Sequence, residues 1–149
     1  MLYIDTSSLL KLLLPEPESP AVQAAVATED RIVLSTLAEL ETEVQLRAAW
    51  LGGRFTRTRY HGLTERLRFV SQRDPFMIRP LPGTIFQIAL RQHRERPGPH
   101  VRTLDRLHLA AMEELGLRRL MTHDVPQAGA ARALGYAVLS PGQAGTPEG

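Results

Sequence analysis

The chain has 149 residues, enough for one domain with a single core, and no cysteine, which excludes a disulfide framework and a thiolate zinc site and fits a reducing compartment. No apolar run approaches a membrane span, and Leu9 to Leu14, preceded by Asp5, is too short for a secretory leader, so a cytoplasmic protein is expected. The net charge of +2 hides an asymmetry: from Trp50 to Arg106 twelve arginines face four acids (Glu65, Asp74, Glu95 and Asp105), whereas the remainder carries six basic and twelve acidic side chains.

Leu2, Tyr3 and Ile4 form an apolar run with the signature of a strand buried on both faces, as in a parallel sheet. Asp5 therefore ends a buried strand. Thr6 or Ser7 is the expected cap of a helix through Leu9, Leu10 and Leu13, although Asp5 could itself serve merely as a cap. Pro15 to Pro20 breaks the chain, and Ser19 as cap with Pro20 at the first helical position restarts it through Val22, Ala25 and Val26. Ile32, Val33 and Leu34 read as a second buried strand. Thr36 can cap a long helix to about Leu51, ended by Gly52 and Gly53. Thr56 to Ser71 reads as a basic amphipathic helix with Leu63, Leu67 and Val70 inward. Phe76 to Ile78 suggests a strand, against which Pro80 and Pro82 argue. Thr84 to Arg94 is helical, Pro97 to His100 a loop, and Thr103 a cap for a helix to Leu115, stopped by Gly116. Leu120 to Thr122 is a strand followed by a second acid, Asp124. A helix from Pro126 to Leu134 and a strand from Tyr136 to Leu139 follow, and Pro141 to Gly149 reads as a disordered tail. This alternation predicts an α/β domain with right-handed crossovers and a parallel sheet covered on both faces.

Helix periodicity sorts the glutamates between Leu37 and Leu51. With Leu37, Leu40, Val44, Ala48 and Leu51 taken as the buried stripe, Glu41 lies close to it, while Glu39 and Glu43 can face water. A carboxylate on a buried face needs a partner, either a core arginine or a bound cation. Glu39 would replace Glu41 only if the helix register slipped. Asp105 falls in the first turn of its helix, where an acid also complements the dipole. His108, one turn on, reads as a hydrogen-bonded, half-buried histidine, with ligand or proton carrier as the alternative.

Asp5 and Asp124 each follow a strand and precede a helix. If their strands flank the point where strand order reverses, both face one crevice. Carboxylates converging without cysteine form a hard-oxygen site that favours Mg²⁺ or Mn²⁺ over zinc. Such acids raise one another's pKa, so a divalent cation, or an arginine inserted by a partner, is the natural occupant. A metal beside a basic surface suits phosphodiester hydrolysis.

Four stretches, YIDTSSLLKLL, LSTLAELETEVQLRAA, RTLDRLHLAAMEELG and LMTHDVPQAGAARALGYAVLSP, resemble PIN-domain ribonucleases of the VapC toxin type in order and spacing, from Leu2 to about Pro141. The resemblance implies a three-layer Rossmann-like fold over residues 1–140. It implies Asp5, Glu41, Asp105 and Asp124 as a catalytic and metal-holding quartet, with Thr6 and Thr122 in support. It also implies an RNA substrate, a homodimer and inhibition by a cognate VapB-type antitoxin.

A second class of function competes with this one: a non-catalytic RNA-binding or regulatory domain in which only the arginines act. A phosphohydrolase with Asp5 as nucleophile also fits an acid at a strand end, but neither a second Asp at position 7 nor a later lysine accompanies it. Two groups of arginines at helix ends, Arg54, Arg57 and Arg59, and Arg91, Arg94 and Arg96, are the candidates for holding RNA phosphates beside the acids. A solvated basic face is the alternative.

Overall fold

The computed structural model describes residues 1–95 and 98–143. Strands β1 (Leu2–Ile4), β2 (Ile32–Ser35), β3 (Phe76–Arg79), β4 (Arg119–Met121) and β5 (Ala137–Leu139) form one sheet in the order β3-β2-β1-β4-β5. Every pairing is parallel, with Tyr3 beside both Val33 and Leu120. The connections run through α1 (Thr6–Leu13), α2 (Ser19–Ala27), α3 (Thr36–Leu51), α4 (Arg57–Ser71), α5 (Thr84–Glu95), α6 (Thr103–Glu114) and α7 (Val125–Ala133). The expected α/β architecture with helices on both faces of a short parallel sheet is the one found.

Strand alternation explains the three layers. Leu2, Ile4, Ile32 and Leu34 point to one face and pack with Leu9, Leu13, Val22 and Leu67. Tyr3, Val33 and Leu120 point to the other and pack with Leu109, Met112 and Ala131. A smaller cluster, Ile85, Ala89, Leu107 and Ala110, joins α5 to α6. Among the described residues no helix is long and apolar enough to cross a membrane.

The structure corrects several local expectations. Four helices are capped one residue before the residue expected: Asp5 in place of Thr6 or Ser7, Glu18 for Ser19, Ser35 for Thr36 and Arg102 for Thr103. At Asp5 and Ser35 the reason is that helix follows strand without a linker, so the residue leaving the strand is still extended and its side chain accepts the amide three residues on. β3 is a true strand at the sheet edge, ending at Arg79 just before Pro80, where a missing N–H breaks no ladder.

The larger correction concerns α3. Its buried strip is Ala38, Thr42, Leu46 and Ala49. Leu40 and Leu51, which the helical wheel turned inward, are 62% and 68% exposed, and Val44 is exposed with them. Mostly small residues let α3 lie close against its neighbours, so the larger apolar side chains are left on the outer face. Residues 141–143, expected within a disordered tail, are tied down: His123 Nε2 donates to Pro141 O at 2.9 Å and Gln143 Nε2 to His123 O at 3.2 Å. The rest of that tail, 144–149, lies outside the described residues.

Candidate active site

The strand order reverses between β1 and β4, where one crossover leaves to each side and a crevice opens beyond the strand ends. A cavity of about 340 Å³ occupies that crevice, and Asp5, Glu41, Asp105 and Asp124 all line it. Four elements supply them: Asp5 follows β1, Glu41 stands on α3, Asp105 opens α6 and Asp124 caps α7. Lys11, the chain's one lysine, sits at its lip, paired with Glu16 at 2.6 Å and Glu18 at 2.8 Å.

Asp5 is 2% exposed and densely hydrogen-bonded. Thr122 Oγ1 donates to it at 2.6 Å, Ser7 Oγ at 2.8 Å and the Ser8 amide at 3.0 Å. Burial pushes its carboxyl above the usual range, opposed by nearby His108 and by these donors. The cap that holds α1 is thus also a wall of the cavity.

Glu41 is held by a histidine and a hydroxyl, with no arginine among its hydrogen-bond partners in the described residues. Thr6 Oγ1 donates to Glu41 Oε2 at 2.8 Å, and His108 Nε2 stands 2.5 Å from the same oxygen. Because a carboxylate only accepts, Nε2 carries the proton. Nδ1 shares a 2.7 Å hydrogen bond with the Tyr3 hydroxyl, which shares another of 2.7 Å with Ser35 Oγ. Burial raises the Glu41 carboxyl, but the bond and charge of His108, with Thr6, bring it below its ordinary value. Burial also drives the Tyr3 hydroxyl far up, so it stays a neutral donor.

Asp105 and Asp124 share Arg102. Its Nε donates to Asp105 Oδ2 at 2.9 Å and its Nη2 to Asp124 Oδ2 at 2.9 Å. Asp105 also accepts the Arg102 backbone N–H at 3.2 Å, and Asp124 that of Gln127 at 2.8 Å. Among the described residues no three acid or histidine side chains stand close enough to hold an ion. A guanidinium from the same chain spans two of the acids in the role expected of a cation or of a partner's arginine.

The arginines expected to hold RNA beside the acids are placed elsewhere. None of Arg54, Arg57, Arg59, Arg91 and Arg94 lines the acidic cavity. Arg57 bonds His61 at 3.4 Å, Arg59 lies over the Phe55 ring, and Arg91 pairs with Glu113. Arg96 lies outside the described residues. The site residues that sequence reasoning missed are Tyr3, Ser7, Ser35 and Arg102. A hydroxyl inside an apolar strand needs a buried partner, and that was the available signal for Tyr3.

The chain belongs to the PIN domain family, whose model matches residues 2–132. Within that family it falls among the VapC-type ribonucleases, being 33% identical over 142 residues to ribonuclease VapC46 of Mycobacterium tuberculosis, across 94% of this chain and 97% of that protein. Solved structures share the fold at lower identity. Mycobacterium tuberculosis VapC20, a sarcin-ricin loop cleaving toxin, aligns with a TM-score of 0.70 at 16% identity, over 95% of this chain and 100% of that one. A toxin-antitoxin complex from Klebsiella pneumoniae aligns at 0.63 and 19%, over 95% and 98%.

Proposed function

We propose that this chain is a metal-dependent endoribonuclease, the toxin of a type II toxin-antitoxin pair, hydrolysing RNA phosphodiester bonds at Asp5, Glu41, Asp105 and Asp124. The observation that carries the reading is the convergence of these four carboxylates, from distant parts of the chain, on one cavity at the switch point of the sheet. The donor set is all oxygen, and the spanning of Asp105 and Asp124 by a guanidinium shows that the acids take up positive charge there. Both suit a hard divalent cation by donor chemistry, although among the described residues the acids as they stand are not drawn together closely enough to hold one. Asp5, Glu41, Asp105 and Asp124 would hold Mg²⁺ or Mn²⁺, which when bound supplies a lowered pKa for the attacking water and neutralises charge developing on phosphate.

The chain's own residues prepare that chemistry. Thr122 and Ser7 fix the Asp5 carboxylate against its desolvation, and Thr6 and His108 fix that of Glu41. Tyr3 and Ser35 hold the imbedded His108 ring in one orientation, which keeps a donor aimed at Glu41. Arg102 neutralises Asp105 and Asp124 and would have to release them for a cation to be held there. The arginines of the basic segment, at Arg54, Arg57, Arg59, Arg91, Arg94 and Arg96, serve the longer path of the RNA.

The partners follow from the surface. A VapB-type antitoxin and a second copy are the expected protein partners, supported by the exposed apolar side chains of Leu40, Val44 and Leu51 on α3, which none of the described residues covers. The test is cleavage of end-labelled RNA by the purified chain. Products are expected with Mg²⁺ or Mn²⁺ and none in excess chelator. Cleavage that persists in chelator would overturn the metal mechanism, and RNA binding without cleavage under any metal would leave only a binding domain.

A further inference from the structure

Arg106 follows Asp105 on α6, about 100° further round the helix, and looks into a different hollow. This second cavity, about 500 Å³, lies between α5 and the start of α6. Its wall includes Phe86, Leu90, His93, His100, Arg102 and Arg106, and no acid is among the described residues that line it. Arg102 lines both cavities, so one side chain separates this cleft from the carboxylates.

Two features of the wall call for a ligand. The Arg106 Nε is buried and has no hydrogen-bond partner among the described residues, and burial pulls the guanidinium below its ordinary pKa without an acid to offset it. A buried cationic donor left unmatched is costly unless something outside the fold meets it. On the same wall Phe86 is 62% exposed, and Leu90, one turn on, is exposed with it. An aromatic face flanked by arginines suits a nucleobase joined to a phosphate. A purely apolar protein segment would cover Phe86 but leave Arg106 unmatched.

We propose that the cleft is a nucleotide subsite, in which single-stranded RNA leaving the acidic cavity over Arg102 lays a base against Phe86 and Leu90 and sets the adjoining phosphate on Arg106. The inference rests on the ribonuclease reading and deepens it: the carboxylates cut, and the neighbouring cleft selects and holds the flanking nucleotide.

The test is binding of a fluorescein-labelled single-stranded 12-nucleotide RNA to the full chain in chelator, followed by anisotropy across a salt series. Arg106→Gln is expected to weaken binding roughly tenfold and to lower the log–log salt slope by about 0.7, the loss of one phosphate contact. Phe86→Ala, at an exposed position that the fold does not need, is expected to weaken binding by roughly five- to a hundredfold with the slope unchanged, as for a lost stacked base. Mn²⁺ binding measured by calorimetry should be the same in both variants as in the unsubstituted chain. Unchanged RNA affinity and slope in both variants, while the parent chain binds and cleaves RNA, would overturn the subsite alone. A parent chain that neither binds nor cleaves RNA would overturn the subsite and the ribonuclease reading together. If Phe86→Ala turned a dimer into a monomer in sedimentation with RNA affinity intact, the cleft would be an interface between copies and the proposal would fall.

Discussion

The acidic cavity and the cleft beside it share one wall and oppose each other in charge. One is lined by five carboxylates, the four candidate site acids and Glu16, and the other, among the described residues, by two arginines, two histidines and no acid, and the boundary runs between consecutive residues, Asp105 and Arg106. The helical turn of about 100° per residue is what separates them. A single helix start thus presents a cation-seeking surface and an anion-seeking surface a few ångströms apart, and Arg102 lines both. The difference teaches that local net charge along the sequence says little about a site: the basic segment from Trp50 to Arg106 ends within the wall of the acidic cavity.

The largest effect should come from the acidic side. Asp5→Asn, Glu41→Gln, Asp105→Asn and Asp124→Asn are each expected to reduce RNA cleavage by more than about 100-fold, beyond what loss of a supporting contact around a metal costs. Asp5→Asn should at the same time leave the melting temperature unchanged or raise it, because burial penalises the charged carboxylate. Glu39→Gln should do little. Full activity in Glu41→Gln together with loss in Glu39→Gln would assign the α3 ligand to the other glutamate.

Removing the shared wall comes next. Arg102→Ala should tighten Mn²⁺ binding in calorimetry by roughly tenfold, about 1.4 kcal/mol, since the guanidinium no longer competes for Asp105 and Asp124. Weaker or unchanged metal affinity would mean that Arg102 is no stand-in for the cation.

A smaller effect is expected behind the site. Tyr3→Phe keeps the ring in the core but strips Ser35 and His108 of their shared partner, which should cost about 1–2 kcal/mol of stability in denaturant unfolding. A neutral result would show that water replaces the hydroxyl.

The smallest effect is a control outside both hollows. Arg119 pairs with Glu29 at 2.6 and 2.8 Å and holds that carboxyl below its ordinary pKa. A depressed carboxylate contributes stability above its unfolded pKa and loses it as pH falls through the folded value. Glu29→Gln should therefore lower the unfolding free energy at pH 7, by no more than about 1 kcal/mol because the guanidinium is partly exposed, and the difference should shrink as pH falls below the ordinary glutamate range. Asp5→Asn carries the opposite sign, so melts of the two variants across pH distinguish a paired surface acid from a buried one.

How far the sequence revealed this arrangement depends on the range of the interactions involved. Strands that run apolar and stop at an acid, as at Asp5 and Asp124, are legible because period and burial act over a few residues. Strand order could bring only Asp5 and Asp124 to one crevice, and Glu41 and Asp105 joined them in the sequence reading through the family resemblance. The inward face of α3 was not. Small residues such as Ala38 and Thr42 pack against neighbours whose positions the helix itself does not encode, while Leu40 and Val44 mimic a core stripe from the outside. The role of Arg102 was hidden for the same reason: reaching Asp105 is local, but reaching Asp124 depends on how β4 and α6 come together. The arginines near Arg57 and Arg91 looked free because their charges were counted without their partners, His61 and Glu113.

Lys11 has a practical consequence. It is the chain's one lysine, it lies within α1, and its ammonium is tied to Glu16 and Glu18. A protease that cuts only after lysine therefore has a single target, and one scission severs the centre strand of the sheet, with Asp5 attached, from everything it pairs with. The helix must open before that bond can enter a protease, so digestion proceeds no faster than excursions that dismantle the middle of the fold. Loss of the full-length band over time then serves as a clock for those excursions, and its slowing by an added ion or oligonucleotide would report binding without any measure of turnover.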